Sequence, residues 1–418
     1  MKKDKKKTIL HIDINHCYAQ IEEMKYPELR NVPMAVGGRE ENRHGIILAK
    51  NDLAKTYGIK TGEPLRDAYR KCPSLLIIHP DYNEYIYYCK KIKDIYKEYT
   101  DKVESYGLDE AWLDVTASTA LFGDGKEIAR KIQKRVLEEL GITISIGISW
   151  NKIYAKFGSD LDKKMGLVEI TSSNYKEVVW SKPVEDLFYV GKATKRKLHK
   201  MYIDTIGKLA TCKRMYLELK LGKYGGMIWD FANGIDNSFV TSHDYEGEVK
   251  SIGNSITTKY DLHNFEEATA VFYVLSESIA SRMREKGMTG YTVSISLRDQ
   301  NLHFLGNRQM KLDRPITTSN DIMGCVKTLL KDNYDFHIPL RSIGVTVSSL
   351  EKDDQQLQLP LFDEFDNNRQ ESLEQAIDSI RSTYGFDKVK RCSLLVHDTV
   401  TNFNPKEDHT IHPVSYFH

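Results

Sequence analysis

No stretch of this sequence approaches the roughly 20 consecutive apolar residues that a membrane-spanning helix needs. The charged start MKKDKKK leads into the short TILHIDI, which carries His and Asp and is no signal-like apolar segment. The expectation is a cytoplasmic protein with no membrane partner. Cysteine is scarce: Cys17, Cys72, Cys89, Cys212, Cys325 and Cys392 are scattered, with no CxxC among them. That argues against a zinc site and against a disulfide framework. An excess of one charge is also missing, since 60 basic and 59 acidic residues leave a formal net of +1.

The near-neutral total hides an asymmetry. Residues 351–418 hold 7 Lys/Arg against 13 Asp/Glu, so the first 350 residues carry a net +7. Within them, 171–241 has 12 basic and 7 acidic residues. A basic body with an acidic tail fits a nucleic-acid partner for the body and a different partner for the tail. The bland alternative is that these charges only solubilise surfaces. A chain of 418 residues, 40% hydrophobic and 28% charged, is long enough for two to four globular domains.

Residues 8–14 (TILHIDI) read as a short buried strand. In 85–99, Tyr85, Tyr88, Cys89, Ile92, Ile95, Tyr96 and Tyr99 fall on one helical face. VESYGL and AWLDVT are strand-like on either side of Asp109 and Glu110. A helix around 124–140 and the alternating ITISIGIS of 142–149 follow. With 25–80 set aside as an insertion, the order is β-α-β-β-α-β, the split βαβ or ferredoxin-like pattern. A right-handed crossover makes the first two strands parallel, and the third returns between them. Asp13, at the end of the first strand, and Asp109–Glu110, on the hairpin joining the second and third, should then meet at one edge of the sheet.

Further along, 171–241 reads as short helices with Gly191, Gly207, Gly222, Gly225 and Gly226 as breaks. A second β-α-β-β-α-β pattern covers 249–350, with strands TVSISL and SIGVTV and helices centred on 265–285 and 318–332. Residues 351–370 are polar and acidic and read as a tether, followed by an amphipathic helix at 369–383.

Three converging carboxylates form a hard-oxygen site suited to Mg²⁺ and not to a thiolate metal. Two such ions can clamp the attacking and leaving oxygens of a phosphoryl displacement. An Asp-Glu dipeptide alone is more often a solvated turn, and Asp13 alone could be an Asx-turn residue.

Five segments add specificity, in chain order: HIDINHCYAQIEE, KNDLAKTYGIKTG, YGLDEAWLDVT, SIGISWNKIYAKFGSD and VKSIGNS. Together they resemble the signature segments of Y-family DNA polymerases, in particular the DNA polymerase IV and DinB/UmuC-like group, across residues 8–350. The resemblance implies an α+β, multi-domain right-hand polymerase. Its parts would be a ferredoxin-like palm (1–24 and 81–170), small fingers (25–80), a helical thumb with a helix-hairpin-helix element (171–241) and a β-α-β-β-α-β little finger (249–350). An acidic tether with a clamp-binding peptide and a C-terminal extension (351–418) would complete the chain.

By the same resemblance, Asp13, Asp109 and Glu110 are catalytic metal ligands for two Mg²⁺ ions, joined by the backbone carbonyl of Ile14. Tyr18 falls at the steric gate beneath the sugar of the incoming nucleotide, where a ring would collide with a ribose 2′-hydroxyl; otherwise it is a core-facing tyrosine. Lys50, Lys55 and Lys163 are candidates for the triphosphate. The family's common Tyr and Arg are replaced here by Asp52 and Lys55, and its common Pro by Lys164, so Lys163 and Lys164 compete for one role. Asp52 would be a poor neighbour for a triphosphate unless it faces away. In YVGKATKRKLHK, Gly191 opens a helix toward a DNA phosphate, and Lys192, Lys195, Arg196 and Lys197 add charge; a solvated basic face is the alternative. Arg298, Arg308 and Arg341 are plausible DNA contacts, though alternation alone does not say which sheet face they occupy. Gln358-Leu359-Pro360-Leu361-Phe362 resembles the peptide by which bacterial relatives bind the sliding clamp, and an exposed apolar pentapeptide in an acidic tether is otherwise a liability.

The implied activity is template-directed addition of dNMP to a primer 3′ end with release of pyrophosphate. Lesion bypass at low fidelity in repair or the SOS response, by a monomer acting on primer-template DNA, goes with it. Two other readings stay open: another two-metal phosphoryl-transfer enzyme on a palm-like sheet, and a catalytically silent DNA-binding or clamp-recruiting relative. The first requires no basic thumb or clamp peptide, and the second gives no reason to keep all three carboxylates.

Overall fold

The computed structural model describes residues 7–38, 45–245, 247–353 and 367–405. They divide into two compact units, one of residues 7–38 and 46–245 and the other of Gly45 and residues 247–353 and 367–405. No helix among the described residues is long and apolar enough to cross a membrane.

The first unit is built on a five-stranded sheet in the order Val103–Tyr106, Glu110–Asp114, Ile9–Ile14, Ile144–Ser149, Leu167–Glu169. The central strand Ile9–Ile14 runs antiparallel to both neighbours. The strand Glu110–Asp114 therefore lies between Ile9–Ile14 and Val103–Tyr106, the order that the crossover argument requires. One detail differs from the sequence reading: Glu110 opens the strand, and only Asp109 remains in the turn.

Strand alternation then sorts the side chains. Leu10, Ile12 and Ile14 join Tyr85, Ile92, Ile128 and Ile132, from helices Tyr82–Lys97 and Gly125–Leu140, in the main core. Ile9, His11 and Asp13 point to the opposite face, where helix Lys152–Leu161 packs, with Ile9 against Ala155 and His11 against Ser159. That helix can approach because residue 147, opposite His11, is glycine. A Cβ there would stand 1.9 Å from the Ala155 carbonyl oxygen.

The described residues between 34 and 78 form a smaller layer with its own core around Ala35, Ile47, Ile59 and Leu65. Strand Met34–Gly37 is central, antiparallel to Ile47–Lys50 and parallel to Leu76–Ile78. Buried Asn51 fixes the junction after Lys50: its Oδ1 accepts from the backbone N–H of Met34 at 3.1 Å and of Ala54 at 2.9 Å. The second of these bonds caps helix Asp52–Thr56.

Beyond residue 170 the unit is helical, and here the glycine expectation needs correcting. Gly191 and Gly222 do sit at helix ends. Gly207, Gly225 and Gly226 lie inside helices Ile206–Thr211 and Lys223–Ala232. The physical reason at two of them is close packing, since a Cβ would come within 2.9 Å of the Trp180 carbonyl oxygen at Gly207 and 2.2 Å of that of Leu217 at Gly225.

The second unit is an antiparallel sheet in the order Phe304–Ile316, Met288–Asp299, Leu340–Lys352, Ser251–Leu262. Helices Phe265–Glu285 and Ser319–Asn333 pack against it through Phe272, Leu275, Val326 and Leu330. Its linear pattern repeats that of the first unit, but its first strand lies beside its fourth and not its third.

Residues past the expected tether also belong to this unit. Helix Asn367–Tyr384 is held by Arg284, which lies 2.6 Å from both Glu374 and Asp378, and Arg381 and Arg391 both reach Glu277. Two carboxylates of the acidic C-terminal stretch are thus consumed in intramolecular pairing. The pentapeptide 358–362 lies outside the described residues.

Candidate active site

Asp13 pairs in register with Glu110 on the neighbouring strand, and the Ile14 N–H donates to the Asp109 carbonyl at 3.1 Å. Asp13 thereby meets Asp109 and Glu110, almost 100 positions further along the sequence, at one end of the sheet. Their side chains do not share one environment.

Asp13 and Asp109 line a cleft of about 430 Å³. Burial pushes the Asp13 carboxyl up to about 7, with Glu110 and Asp109 adding repulsion and Lys163 opposing the rise. Burial raises Asp109 as well, followed by the charge of Glu110. Glu110 turns to the helix behind the sheet, hydrogen-bonded to Lys156, with His11 Nε2 3.2 Å away though off the line of a good hydrogen bond. Burial alone would raise Glu110, but His11 and Lys156 outweigh it and hold the carboxyl down at about 2. His11 is fully buried, and burial lowers its pKa against the pull of Glu110, while Nδ1 lies 2.7 Å from the Ser159 hydroxyl.

The turn carrying Asp109 rests on a group that sequence periodicity overlooks. Lys93 is 5% exposed on the apolar face of helix Tyr82–Lys97 and donates to the Gly107 carbonyl at 3.2 Å. Burial lowers its pKa to about 8, against the pull of Cys89 and Asp109. The available signal was a lysine one position after Ile92, inside the stripe Cys89–Ile92–Tyr96, where a solvated side chain has no room.

All four lysines considered for a triphosphate line the cleft: Lys50, Lys55, Lys163 and Lys164. Lys163 is already engaged, 2.5 Å from Asp13 and 2.7 Å from Asp160. Lys50 donates to the Thr61 hydroxyl at 3.3 Å, and burial followed by the charge of Lys55 lowers its pKa. Asp52 lines the cleft too. Tyr18 forms another part of the wall, beside Ile14, His16 and Cys17.

The donor set fits a divalent ion by chemistry. Two carboxylates face the cleft, their mutual repulsion favours a cation, and the Lys163 ammonium already stands against Asp13. A finished cage is not present: among the described residues, no three acidic, histidine or cysteine side chains lie close enough to hold a metal. Glu110 is the outlier because Lys156 and His11 hold it.

Other candidates lie away from this cleft. Gly191 is the N-cap of helix Lys192–Lys200, on which Lys192, Arg196 and Lys197 are exposed. Lys195 is 2.5 Å from Glu185, so part of its charge is spent within the chain. In the second unit, Arg298 is exposed and alternates with the core residues Val293, Ile295 and Leu297, which puts it on the sheet face away from the helices. Arg308 pairs with Ile295 and bonds the Asn333 side chain at 2.9 Å, so it lies on the helix side. Arg341 donates to the Gln300 carbonyl at 3.3 Å.

Comparison with known proteins adds to this geometry. Residues 12–160 match the impB/mucB/samB family, and residues 249–361 match the C-terminal domain of that family. The chain is 44% identical over 391 residues to a DNA polymerase IV of Acetivibrio thermocellus, covering 93% of this chain and 98% of the relative. It is 36% identical to DNA polymerase IV 2 of Bacillus subtilis, covering 94% and 95% of the two chains. A solved Y-family DNA polymerase chimera superposes with a TM-score of 0.72 at 22% identity, covering 82% of this chain and 99% of the chimera. The fold is therefore the α+β right-hand polymerase architecture. Matched in both of its units and by relatives along nearly all of its length, the chain belongs to the impB/mucB/samB family of Y-family DNA polymerases.

Proposed function

We propose that this chain is a DNA-directed DNA polymerase that extends a primer on a template strand and acts in lesion bypass, by two-metal-ion chemistry at the cleft. The observation that carries this reading is the register of Asp13 with Glu110 beside Asp109, opening onto a cleft lined by four lysines. Carboxylates at one end and ammonium groups along the wall are what a Mg²⁺-triphosphate needs. Family membership supports template-directed synthesis as the reaction.

Asp13, Asp109, Glu110 and the Ile14 carbonyl would hold the two Mg²⁺ ions. Bound there, such ions supply activation of the primer 3′-hydroxyl and charge stabilisation at the α-phosphate and the departing pyrophosphate. The chain's own residues do the rest. Lys50, Lys55, Lys163 and Lys164 bind and orient the triphosphate as point charges. Lys163 competes with a cation for Asp13, and a triphosphate offers it a second partner. Tyr18 serves as the steric gate against ribonucleotides.

In this reading the five-stranded sheet is the palm, residues 25–80 are the fingers, 171–241 the thumb, and the second unit the little finger. Gly191, Lys192, Arg196 and Lys197 contact DNA phosphates, with Lys195 available on exchange of its Glu185 partner. Arg298 is the arginine of the second sheet best placed for backbone contact. Gln358, Leu359, Leu361 and Phe362 dock on the sliding clamp, and a monomer acting in the SOS response completes the picture.

The test is extension of a primed template with dNTPs and Mg²⁺ by the wild type and by Asp109→Ala. Synthesis by the wild type alone is expected. No synthesis by the wild type, or full synthesis by the variant, contradicts the proposal.

A further inference from the structure

A gate can reject a substrate by no more than it costs to push the gate aside. If Tyr18 excludes ribonucleotides by collision, the strength of exclusion depends on what stands behind its ring. Tyr18 is half-buried, with one side on the cleft. Its other side is filled by two tyrosines from the first turn of helix Tyr82–Lys97.

Tyr85 lies parallel to Tyr18, with ring centroids 4.5 Å apart and planes 11° off parallel. Tyr82 meets both rings edge-on, at 5.9 Å from Tyr18 and 6.0 Å from Tyr85. Tyr85 is itself fully buried, and its hydroxyl donates to Glu22 Oε1 at 2.7 Å. Glu22 is 2% exposed and sits four residues after Tyr18, one turn along the same helix, Cys17–Lys25. The contact thus closes on itself: one helix carries the gate and the acceptor, and the other carries the stacked ring and the donor. One turn further on, the Cys17 and Cys89 sulfurs touch at 3.7 Å.

We propose that Tyr85, anchored by its buried hydrogen bond to Glu22 and flanked by Tyr82, is a positioning residue for sugar selection, bracing the Tyr18 ring against displacement by a ribose 2′-hydroxyl. The inference rests on the reading of Tyr18 as the gate. A purely structural role for Tyr85 would weaken the use of every nucleotide alike. Bracing affects ribonucleotides selectively, because only the 2′-hydroxyl pushes on the ring. The tyrosine stack contributes as an aromatic pair, so its loss corresponds to roughly three- to tenfold in discrimination. Phenylalanine at position 85 keeps the stack and loses only the anchor.

The experiment measures kcat/KM for a dNTP and for its rNTP on one primed template with the wild type, Tyr18→Ala, Tyr85→Leu and Tyr85→Phe. The Tyr18→Ala ratio should collapse. Tyr85→Leu should lose about three- to tenfold of the dNTP:rNTP ratio while dNTP use stays within about twofold. Tyr85→Phe should fall between it and the wild type. An unchanged ratio in Tyr85→Leu beside a collapsed one in Tyr18→Ala overturns the brace and leaves the gate standing. An unchanged ratio in Tyr18→Ala overturns both. If circular dichroism shows Tyr85→Leu unfolded, Tyr82→Leu takes its place, with an expected loss of about two- to threefold. An unchanged ratio in that variant overturns the proposal equally.

Discussion

Lys163 Nζ lies 2.5 Å from Asp13 Oδ2, and even with this cation in contact the carboxyl titrates only at about 7. Burial and two carboxylate neighbours outweigh the ion pair. The site holds Asp13 at a cost to the fold, as expected where negative charges are gathered for a cation.

That cost has a sign in pH. The folded-state pKa of Asp13 is raised above the ordinary value of 3.8, so the folded form binds the proton more tightly. Its contribution to stability is fully present below about pH 4 and is lost as pH rises through about 7. Without Mg²⁺, Asp13→Asn should melt a few degrees above the wild type at pH 8 and close to it at pH 4, while synthesis is abolished. Equal melting temperatures at pH 8 would contradict the assignment.

Lys93 presents the same trade from a cation. Burial lowers its pKa to about 8, so its charge costs stability at neutral pH, yet it pins the Gly107 carbonyl in the turn before Asp109. Lys93→Met should melt at or above the wild type at pH 7 and lose about tenfold or more in kcat/KM for dNTP. Melting curves and primer extension on the same preparation check both halves.

Glu110 and Lys156 form a pair with little access to water, at 20% and 11% side-chain exposure. Removing one partner leaves the other charge uncompensated, so Lys156→Met should destabilise the fold by about 3 kcal/mol at pH 7. The double variant with Glu110→Gln should cost clearly less than the two single costs added. Denaturant titration of the four proteins closes the cycle, and simple additivity would show that the pair is not coupled.

Gly147 tests the packing behind the site. A Cβ there meets backbone, the Ala155 oxygen at 1.9 Å and the Ser159 nitrogen at 2.5 Å, and backbone cannot swing away as a side chain can. Gly147→Ala should displace helix Lys152–Leu161, cost about 3 kcal/mol or more, and disturb the His11–Ser159 and Lys156–Glu110 contacts together. A variant with wild-type stability would contradict the tight approach.

The clamp reading is tested by changing Leu361→Ala and Phe362→Ala together. Distributive synthesis should persist, and stimulation by the clamp should be lost. Surviving stimulation moves the docking site elsewhere.

Much of this site follows from pattern alone. Alternation in ILHIDI, a tyrosine-lined helix and a hairpin with two acids fix which strand ends meet, because crossover handedness permits few topologies. What alternation cannot supply is the direction of each carboxylate. Asp13 and Glu110 are cross-strand partners, yet one opens to the cleft and the other is drawn back by Lys156, a residue placed there by a glycine opposite His11. Lys93 escapes a hydrophobic-period reading because burying its ammonium makes sense only beside Gly107, in another element. Gly207 and Gly225 look like breaks in a linear reading, since a helix–helix contact leaves no local mark. The pairing of Glu277 with Arg381 and Arg391 joins residues over 100 positions apart, and no composition count separates such paired charges from solvated ones.

The central claim is that the carboxylates meeting at Asp13 drive Mg²⁺-dependent nucleotidyl transfer. Pyrophosphate release from a primed template, with the single complementary dNTP and varied Mg²⁺, measures this directly. Release should require both Mg²⁺ and template and fall by about a hundredfold or more in Asp109→Asn. Release by Asp109→Asn at the wild-type rate, or no release by the wild type, would contradict that claim.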